Sequence, residues 1–270
     1  MSLVIAAVLP HSPLLVPNIG KENLAQFSLT TEAKEKLIKN FTEARVDSII
    51  IITTKGPILN TGFTINVSPN FRANLEIFGD LVTRWDFTGD ITLAGRLREK
   101  LEDQSNLLMV TDSNLDYASS ISLSLLSSNL RQPILPITIA HDLSGEEILT
   151  LGKKIQTTIL EDDLRIGVIV AADLSHRVNK KSPQGYSAKG KKFDQKIVEA
   201  LKDKDVKPLL ENFSLIEEVA CDDLASLILL LGILDDVGLE AKLLSYEAPF
   251  GTGHAIVEYV QTFLPTPQQL

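Results

Sequence analysis

The sequence predicts an α/β protein, with a single three-layer α/β/α domain built on a mostly parallel central sheet. Two observations lead to this prediction. Short apolar runs rich in β-branched residues alternate along the chain with amphipathic helical patterns, as expected of repeated strand–helix–strand units. The apolar runs are continuous rather than alternating, which indicates strands covered on both faces. A length of 270 residues suits one large α/β domain.

Each predicted element follows one of these two patterns. Seven strands are predicted, at residues 3–9, 48–54, 107–112, 134–140, 166–173, 242–248 and 255–260. Six helices are predicted, at residues 30–45, 90–103, 117–129, 144–160, 190–202 and 214–235. The last helix contains LASLILLLGIL, which is too short to span a membrane and is typical of a buried helix. We expect residues 1–264 to form the domain and residues 265–270 to form a C-terminal tail.

The composition excludes several classes of protein. A net charge of −9 argues against general binding to nucleic acid or to an anionic membrane. The single cysteine, Cys221, excludes an intrachain disulfide and fits a reducing compartment, so we expect a cytoplasmic protein. The first residues, MSLVIAAVLPHSP, lack the basic start and the long apolar run of a signal peptide. The sequence leaves a homo-oligomer open.

Chemically versatile side chains follow several predicted strands. His11 follows the first strand, Lys55 the second, Tyr117 the third, and Asp173 and His176 the strand at 166–173. Near the end of the chain, Glu247 and His254 flank the segment EAPFGTGH. In open α/β sheets, binding sites lie beyond the carboxyl ends of the strands, so these residues are candidates for one site.

Two histidine motifs each allow two interpretations. In ADLSH, Asp173 could simply cap a turn, or it could orient His176 as a general base that titrates near neutral pH. In PHSPLLVP, the flanking prolines would hold His11 in one direction, which suits a metal ligand but also an ordinary loop histidine. Cys221, at the start of the most apolar helix, is either an inert buried thiol or a ligand.

The segment KKSPQGYSAKGKK, residues 180–192, is basic in an acidic chain. It is either a solvated loop or a means of steering an anionic substrate toward the strand ends.

Several motifs together resemble a known family. PHSPLLVP, the GPIL after the second strand, AADLSHR followed by PQGYSAKGKKFD, and EAPFGTGHAI occur in the order seen in LigB-type class III extradiol ring-cleavage dioxygenases. That superfamily includes the Memo-like proteins. The resemblance spans residue 5 to about residue 259, and the D-L-S-H-R segment with its downstream G-Y and F-D is its most specific part.

The resemblance implies a non-haem Fe(II) site at the carboxyl edge of the sheet. It implies that His11 is the first ligand, and that His176, beside Asp173, acts as acid and base. Two histidines and one carboxylate would leave positions open for a catecholate and O2. A family histidine from an S-P-H-G-P-type loop would be the second ligand. The third would be an acidic residue, or a cysteine in Memo-like relatives, near the start of a late helix.

This chain departs from the family pattern at the metal ligands. Lys55 stands where the second histidine is expected, and a protonated ammonium has no lone pair for a metal. Tyr117 and Ala118 replace the histidine and glycine of a family D-H-G stretch. For the third ligand the late helix offers three consecutive residues, and there are two further glutamates. These candidates are Cys221, Asp222, Asp223, Glu218 and Glu247.

Two functions follow from the resemblance. The first is an extradiol-type dioxygenase of aromatic compound metabolism with an altered iron site. The second is a non-catalytic, Memo-like relative that keeps the pocket for a small aromatic or anionic ligand or a protein partner. In that case Lys55 would form an ion pair with an acidic residue and replace the charge of the metal.

Overall fold

A computed structural model describes residues 2–57, 62–104, 106–126, 130–140 and 142–261. The second half of GPIL, the last three residues of the predicted helix at 117–129, and the predicted tail at 265–270 lie outside the described residues. The boundary at residue 264 therefore stays a prediction.

In this part of the chain the strands are β1 (Leu3–Leu9), β2 (Ser48–Thr53), β3 (Phe63–Asn66), β4 (Asn70–Leu75), β5 (Asp80–Thr88), β6 (Leu107–Val110), β7 (Ile134–Ile139), β8 (Ile166–Ala171), β9 (Glu240–Glu247) and β10 (His254–Val260). The α-helices are α1 (Pro17–Gly20), α2 (Ser28–Glu43), α3 (Ile91–Lys100), α4 (Tyr117–Leu126), α5 (Gly145–Leu160), α6 (Gly190–Asp203), α7 (Lys207–Glu211), α8 (Ile216–Val219) and α9 (Leu224–Ile233).

The central sheet has eight strands in the order β6-β3-β7-β2-β8-β1-β10-β9. The four central strands, β7, β2, β8 and β1, are mutually parallel, whereas β10 and β3 pair with them in antiparallel fashion. This confirms the predicted α/β class with a mostly parallel sheet. The four central strands therefore end at the same edge, and β10 begins at that edge.

Both faces of the sheet are covered, as the unbroken apolar runs predict. In β2, Ile50 and Ile52 pack into one hydrophobic cluster, and Ile49 and Ile51 pack into another on the opposite face. The first cluster contains residues of α3, α5, α6 and α9, and the second contains residues of α2 and α4. Two helix layers thus enclose the sheet. Successive side chains of a central strand point to opposite faces, and each is buried under the helix layer on its own face.

The helices α5 and α9 cross at close range because glycines face each other. A Cβ atom on Gly152 would lie 2.5 Å from the carbonyl oxygen of Leu229, and one on Gly232 would lie 2.6 Å from that of Leu149.

No helix in the described ranges is both long enough and apolar enough to cross a bilayer.

The structure corrects two features of the predicted element order. The strands β3, β4 and β5 were not predicted, because the prediction relied on continuous apolar runs, whereas β3 is only four residues long and β4 alternates exposed polar residues with buried ones, a pattern that by itself indicates a strand. The single helix predicted at 214–235 is wrong. The chain forms α8, turns at Ala220, whose φ of 51° is left-handed, and starts again at α9.

Candidate functional site at the carboxyl edge of the sheet

Five segments bring polar side chains together at the carboxyl edge of the sheet. His11 follows β1, Lys55 follows β2 and Asp173 follows β8, and these three strands are neighbours that run in the same direction. His254 is the first residue of β10, which runs the opposite way and so begins at this edge. Asp223 comes from the turn before α9.

A buried histidine held between two carboxylates forms the centre of the site. The Nε2 atom of His11 lies 2.8 Å from Oδ2 of Asp223, and its Nδ1 atom lies 3.6 Å from Oδ2 of Asp173. Burial alone would lower the pKa of His11, but Asp173 and Asp223 outweigh it and raise the pKa to about 9. At neutral pH the imidazole of His11 is therefore protonated.

Asp173 links this histidine to a second one. Its Oδ1 atom accepts a hydrogen bond from the backbone N–H of His11 at 3.2 Å and lies 2.9 Å from Nδ1 of His254. Burial opposes ionisation of Asp173, but the neighbouring His11 and His254 hold its pKa well below the usual range. The carboxylate is thus ionised and fixed in position from two sides.

Lys55 contributes a second positive charge next to the same cluster. Its Nζ atom lies 3.3 Å from Oδ2 of Asp222 and 3.6 Å from Oδ1 of Asp223. Although burial would lower the pKa of Lys55, Asp223 and Asp222 raise it, so this ammonium keeps its proton. The hydroxyl of Thr54 donates to the same Oδ1 atom of Asp223 at 2.5 Å.

The break before α9 explains how Asp223 reaches the cluster. A continuous helix would carry residues 221–223 along its surface, whereas the left-handed turn at Ala220 turns the chain back. The backbone N–H of Asp173 then donates to Oδ2 of Asp223 at 3.1 Å. Burial opposes ionisation of Asp223, but His11 and Lys55 keep its pKa low. Of the three consecutive candidates, Asp223 is the one that contacts His11.

The other ligand candidates lie elsewhere. Cys221 is fully buried with Sγ 3.8 Å from the carbonyl oxygen of Asp173, and burial raises the pKa of this thiol, which opposes the thiolate needed for a metal. Asp222 is largely exposed, and its one ion pair with a described residue is to Lys55. Glu247 accepts a hydrogen bond from the backbone N–H of Thr30 in α2, and Glu218 pairs with Lys189. The structure does not bring Cys221 and Glu247 to His11 as ligands.

A cavity of about 400 Å³ opens beside the cluster. His11, Asp173, His176 and His254 supply its polar wall together with Tyr117. The rest of the wall is mostly apolar: Pro13, Leu14, Ile19, Phe78, Pro183 and Phe250. The predicted pocket residues Tyr117 and His254 line this cavity, whereas Lys55 is not among its lining side chains, because its ammonium is directed at Asp222 and Asp223.

Tyr117 and His176 are the lining side chains best able to exchange a proton with a ligand. Burial lowers the pKa of His176, so its imidazole is neutral at neutral pH. Its Nδ1 atom lies 3.5 Å from the side-chain amide nitrogen of Gln184. Burial raises the pKa of Tyr117 to about 12, so its hydroxyl keeps its proton. The ring of Tyr117 packs edge-on against those of His11 and Phe78.

A fully buried aspartate, Asp194, anchors the D-L-S-H loop. The strand-end rule did not identify it as a candidate. Asp194 accepts hydrogen bonds from the backbone N–H of Ser175 at 2.9 Å and from the hydroxyl of Tyr246 at 2.7 Å. Burial raises the pKa of Asp194 to about 7. Gly253 passes so close that a Cβ atom there would lie 2.0 Å from Oδ2 of Asp194. The signal in the sequence was the F-D pair downstream of the loop.

These residues do not fit the Fe(II) site that the family resemblance implies. The Nε2 atom of His11 and the carboxylate of Asp223, two expected donors, bond to each other, and Lys55 places a positive charge on that carboxylate. Within the described ranges, no group of three histidine, cysteine or acidic side chains is arranged to hold a metal ion. The cluster is instead a network of buried ion pairs.

Comparison with known proteins gives three findings. A family model described as "Catalytic LigB subunit of aromatic ring-opening dioxygenase" matches residues 5–257. Protein CA_C1420 of Clostridium acetobutylicum is 26% identical over 274 aligned positions, which cover 96% of this chain but 58% of that protein. The crystal structure of the uncharacterized protein JW3007 from Escherichia coli K12 superimposes with a TM-score of 0.69 at 15% identity, covering 94% of this chain and 99% of that one. The last comparison bears on the fold alone.

Proposed function

The chain belongs to the LigB family of aromatic ring-opening dioxygenases, and from this premise we propose that its cavity binds a small phenolic ligand without iron. In this proposal the family pocket is retained while its metal chemistry is lost. His176 accepts the proton of the ligand hydroxyl, and the apolar wall holds the aromatic ring.

The ion pairs of Lys55 carry this proposal. An ammonium 3.6 Å from Asp223 supplies the positive charge that a cation would bring to the same carboxylate. Because the pKa of Lys55 is raised, the lysine stays charged and repels a divalent ion. A carboxylate buried without a partner would be costly, and the pair with Lys55 lowers that cost for Asp223.

The shape and polarity of the cavity support an aromatic ligand. Its volume falls within the range of small-molecule sites, and Phe78, Tyr117 and Phe250 offer ring faces and edges against which a planar ligand can pack. The lining divides into polar side chains, which are the three histidines, Asp173, Tyr117, Ser12 and Thr252, and apolar ones. A ligand with one polar edge and one apolar body suits this division.

The side chains at the polar wall favour a hydroxyl group on that ligand. A neutral His176 can accept a proton, and the protonated Tyr117 hydroxyl can donate a hydrogen bond to the phenolate that results. No step of this exchange requires a metal.

A second candidate function is extradiol ring cleavage with iron, which the family membership favours. The two candidates differ in their dependence on Fe(II) and O2. The name of the Clostridium relative specifies no activity, and the chain spans only 58% of that protein, so it does not favour either candidate.

Titration with 4-nitrocatechol, whose visible spectrum changes on ionisation, tests the proposal. We expect chelator-treated protein to bind the probe in its ionised form, added Fe(II) to leave the affinity unchanged, and an oxygen electrode to record no uptake. His176→Gln should weaken the ionised spectrum, and Tyr117→Phe should weaken binding. Tyr186→Phe, at an exposed tyrosine, is the matched control.

Either of two results would contradict the proposal. Absence of binding to the metal-free protein would remove the ligand-binding function. Fe(II)-dependent oxygen uptake by the wild-type protein would establish the second candidate in its place.

A further inference from the structure

The segment at residues 177–192, a loop that ends in the first turn of α6 and is here named the basic loop, concentrates positive charge beside the cavity. It contains six basic residues and no acidic one, in a chain whose net charge is −9. These residues are Arg177, Lys180, Lys181, Lys189, Lys191 and Lys192. Among the described residues, Lys189 alone of the five lysines has an ion-pair partner, Glu218. The other four lysines are exposed, and no acidic side chain in the described part of the chain forms an ion pair with them.

The loop is adjacent to the cavity. Pro183, in the middle of the loop, lines the cavity with His176, and the side chain of Gln184 contacts the ring of His176. Lys181 and Lys180 therefore lie two and three residues from a lining position. A ligand that extends out of the cavity past Pro183 would approach the segment that carries them.

Backbone contacts hold the loop in place. The hydroxyl of Ser182 donates to the carbonyl oxygen of Gly251 at 2.8 Å, and the amide of Asn179 donates to that of Ala248 at 3.0 Å. Gly251, with φ of +84°, allows this approach, since a Cβ atom there would lie 2.2 Å from the hydroxyl of Ser182. These contacts fix the backbone that carries Lys180 and Lys181 relative to the cavity, so only the lysine side chains would have to be ordered when an anion binds.

The charges inside the cavity indicate where an anionic group would lie. Asp173 forms part of the polar wall, and the single negative charge of a phenolate there is balanced by the proton that His176 accepts, so a further, doubly charged group would be left without a balancing charge at that wall. The lysines lie on the loop that borders it. A phosphate group carries up to two negative charges and several acceptor oxygens, which suits clustered lysine side chains.

We infer that the basic loop binds a phosphate group on the ligand whose aromatic ring occupies the cavity. The ligand class is therefore a phosphorylated phenolic compound. This inference rests on the proposed function for the ring, whereas the anion site on the loop can be tested by itself.

The first measurement uses inorganic pyrophosphate alone, titrated by calorimetry at low ionic strength. The test variant is Lys180→Gln/Lys181→Gln, and the control is Lys202→Gln/Lys207→Gln, which removes the same charge from exposed lysines of α6 and α7. We expect the test variant to weaken binding about tenfold and the control to change it less than about twofold, because surface charge contacts are individually weak but additive. Absence of pyrophosphate binding to the wild type, or equal loss in both variants, would overturn the anion site whatever the cavity binds.

The second measurement compares pyridoxine with pyridoxine 5′-phosphate, a fluorescent phenolic pair that differs only in the phosphate. We expect the phosphate form to bind the wild type about tenfold more tightly, and this preference to fall below about threefold in Lys180→Gln/Lys181→Gln and in high salt. If pyridoxine binds but the phosphate brings no gain, the inference is wrong and the proposed function stands. If pyrophosphate binds but neither pyridoxine form does, the link between loop and cavity is wrong, and the proposed function loses its support as well.

Discussion

Replacing Lys55 by histidine should turn a site that excludes divalent metals into one that binds them. The Nζ atom of Lys55 lies 3.6 Å from Oδ1 of Asp223, one of the candidates for the third ligand and the one that contacts His11. At an effective dielectric constant near 20, a unit positive charge about 4 Å from a divalent ion costs on the order of 8 kcal/mol. The Lys55→His variant removes this charge and adds a neutral nitrogen donor.

A second cost comes from His11, which must lose its proton before it can bind a metal. Because its pKa is about 9, deprotonation at pH 7.5 costs about 2 kcal/mol. Part of the high pKa comes from Asp223, and a metal on that carboxylate would lower it. The charge of Lys55 is therefore the larger of the two obstacles.

Anaerobic Fe(II) titration and metal analysis of the purified proteins measure the effect. We expect the affinity for Fe(II) to rise at least about 100-fold in Lys55→His. This gain corresponds to a small part of the calculated repulsion, because solvent and salt screen the charges. Lys55→Gln separates loss of charge from gain of a donor and should show a smaller gain. Lys202→His, at an exposed position on α6, is the control for an added surface histidine. Tight stoichiometric iron in the wild type, or a folded Lys55→His protein with unchanged affinity, would refute the reasoning.

Three further predictions concern stability. The pKa of His11 is about 9 in the folded protein against an ordinary value of 6.5. The protonated imidazole therefore stabilises the fold fully below pH 6.5, and this stabilisation is lost as the pH rises through 9. Urea unfolding from pH 6 to pH 10 should show a loss of up to about 3 kcal/mol in the free energy of unfolding, and the loss should be absent from His11→Asn. Gly253→Ala should destabilise the protein by several kcal/mol because its Cβ atom would overlap a buried carboxylate, whereas Gly238→Ala, with open space around it, should change thermal stability little. Gly152→Ala should lower the melting temperature through the α5–α9 crossing, whereas Gly95→Ala, on an open helix face, should raise it slightly, and the opposite order would contradict the predicted contact.

Much of the fold was predictable because strands that are buried on both faces of the sheet have continuous apolar sequences. The continuous apolar runs of β2 and β8 identify central strands without any knowledge of their neighbours. The hairpin of β4 and β5 was missed because it lies outside the main sheet and its exposed positions are partly polar and partly apolar. A segment that mixes polar and apolar residues at its exposed positions cannot be assigned to a short strand rather than a loop from the local pattern.

The site was predictable in its location but not in its pairings. The strand-end rule brings His11, Asp173 and His176 to one edge, and the structure places all three on one cavity. The choice among three consecutive residues before α9 depended on a single left-handed residue, Ala220, in a segment whose composition predicts continuous helix. Because one backbone dihedral decides which side chain turns inward, composition alone could not select Asp223.

In the proposed metal-free function, the charges of the cluster account for how the carboxylates beside the pocket stay balanced without an ion. Lys55 and protonated His11 carry two positive charges, and Asp173 and Asp223 carry two negative ones. Adding a divalent cation to this balanced set would leave excess positive charge in a buried region, whereas removing Lys55 would leave excess negative charge. Lys55 and a metal ion are therefore alternative ways to balance the same carboxylates. A lysine at this position fits a site that keeps the shape of the family cavity and changes the chemistry performed there.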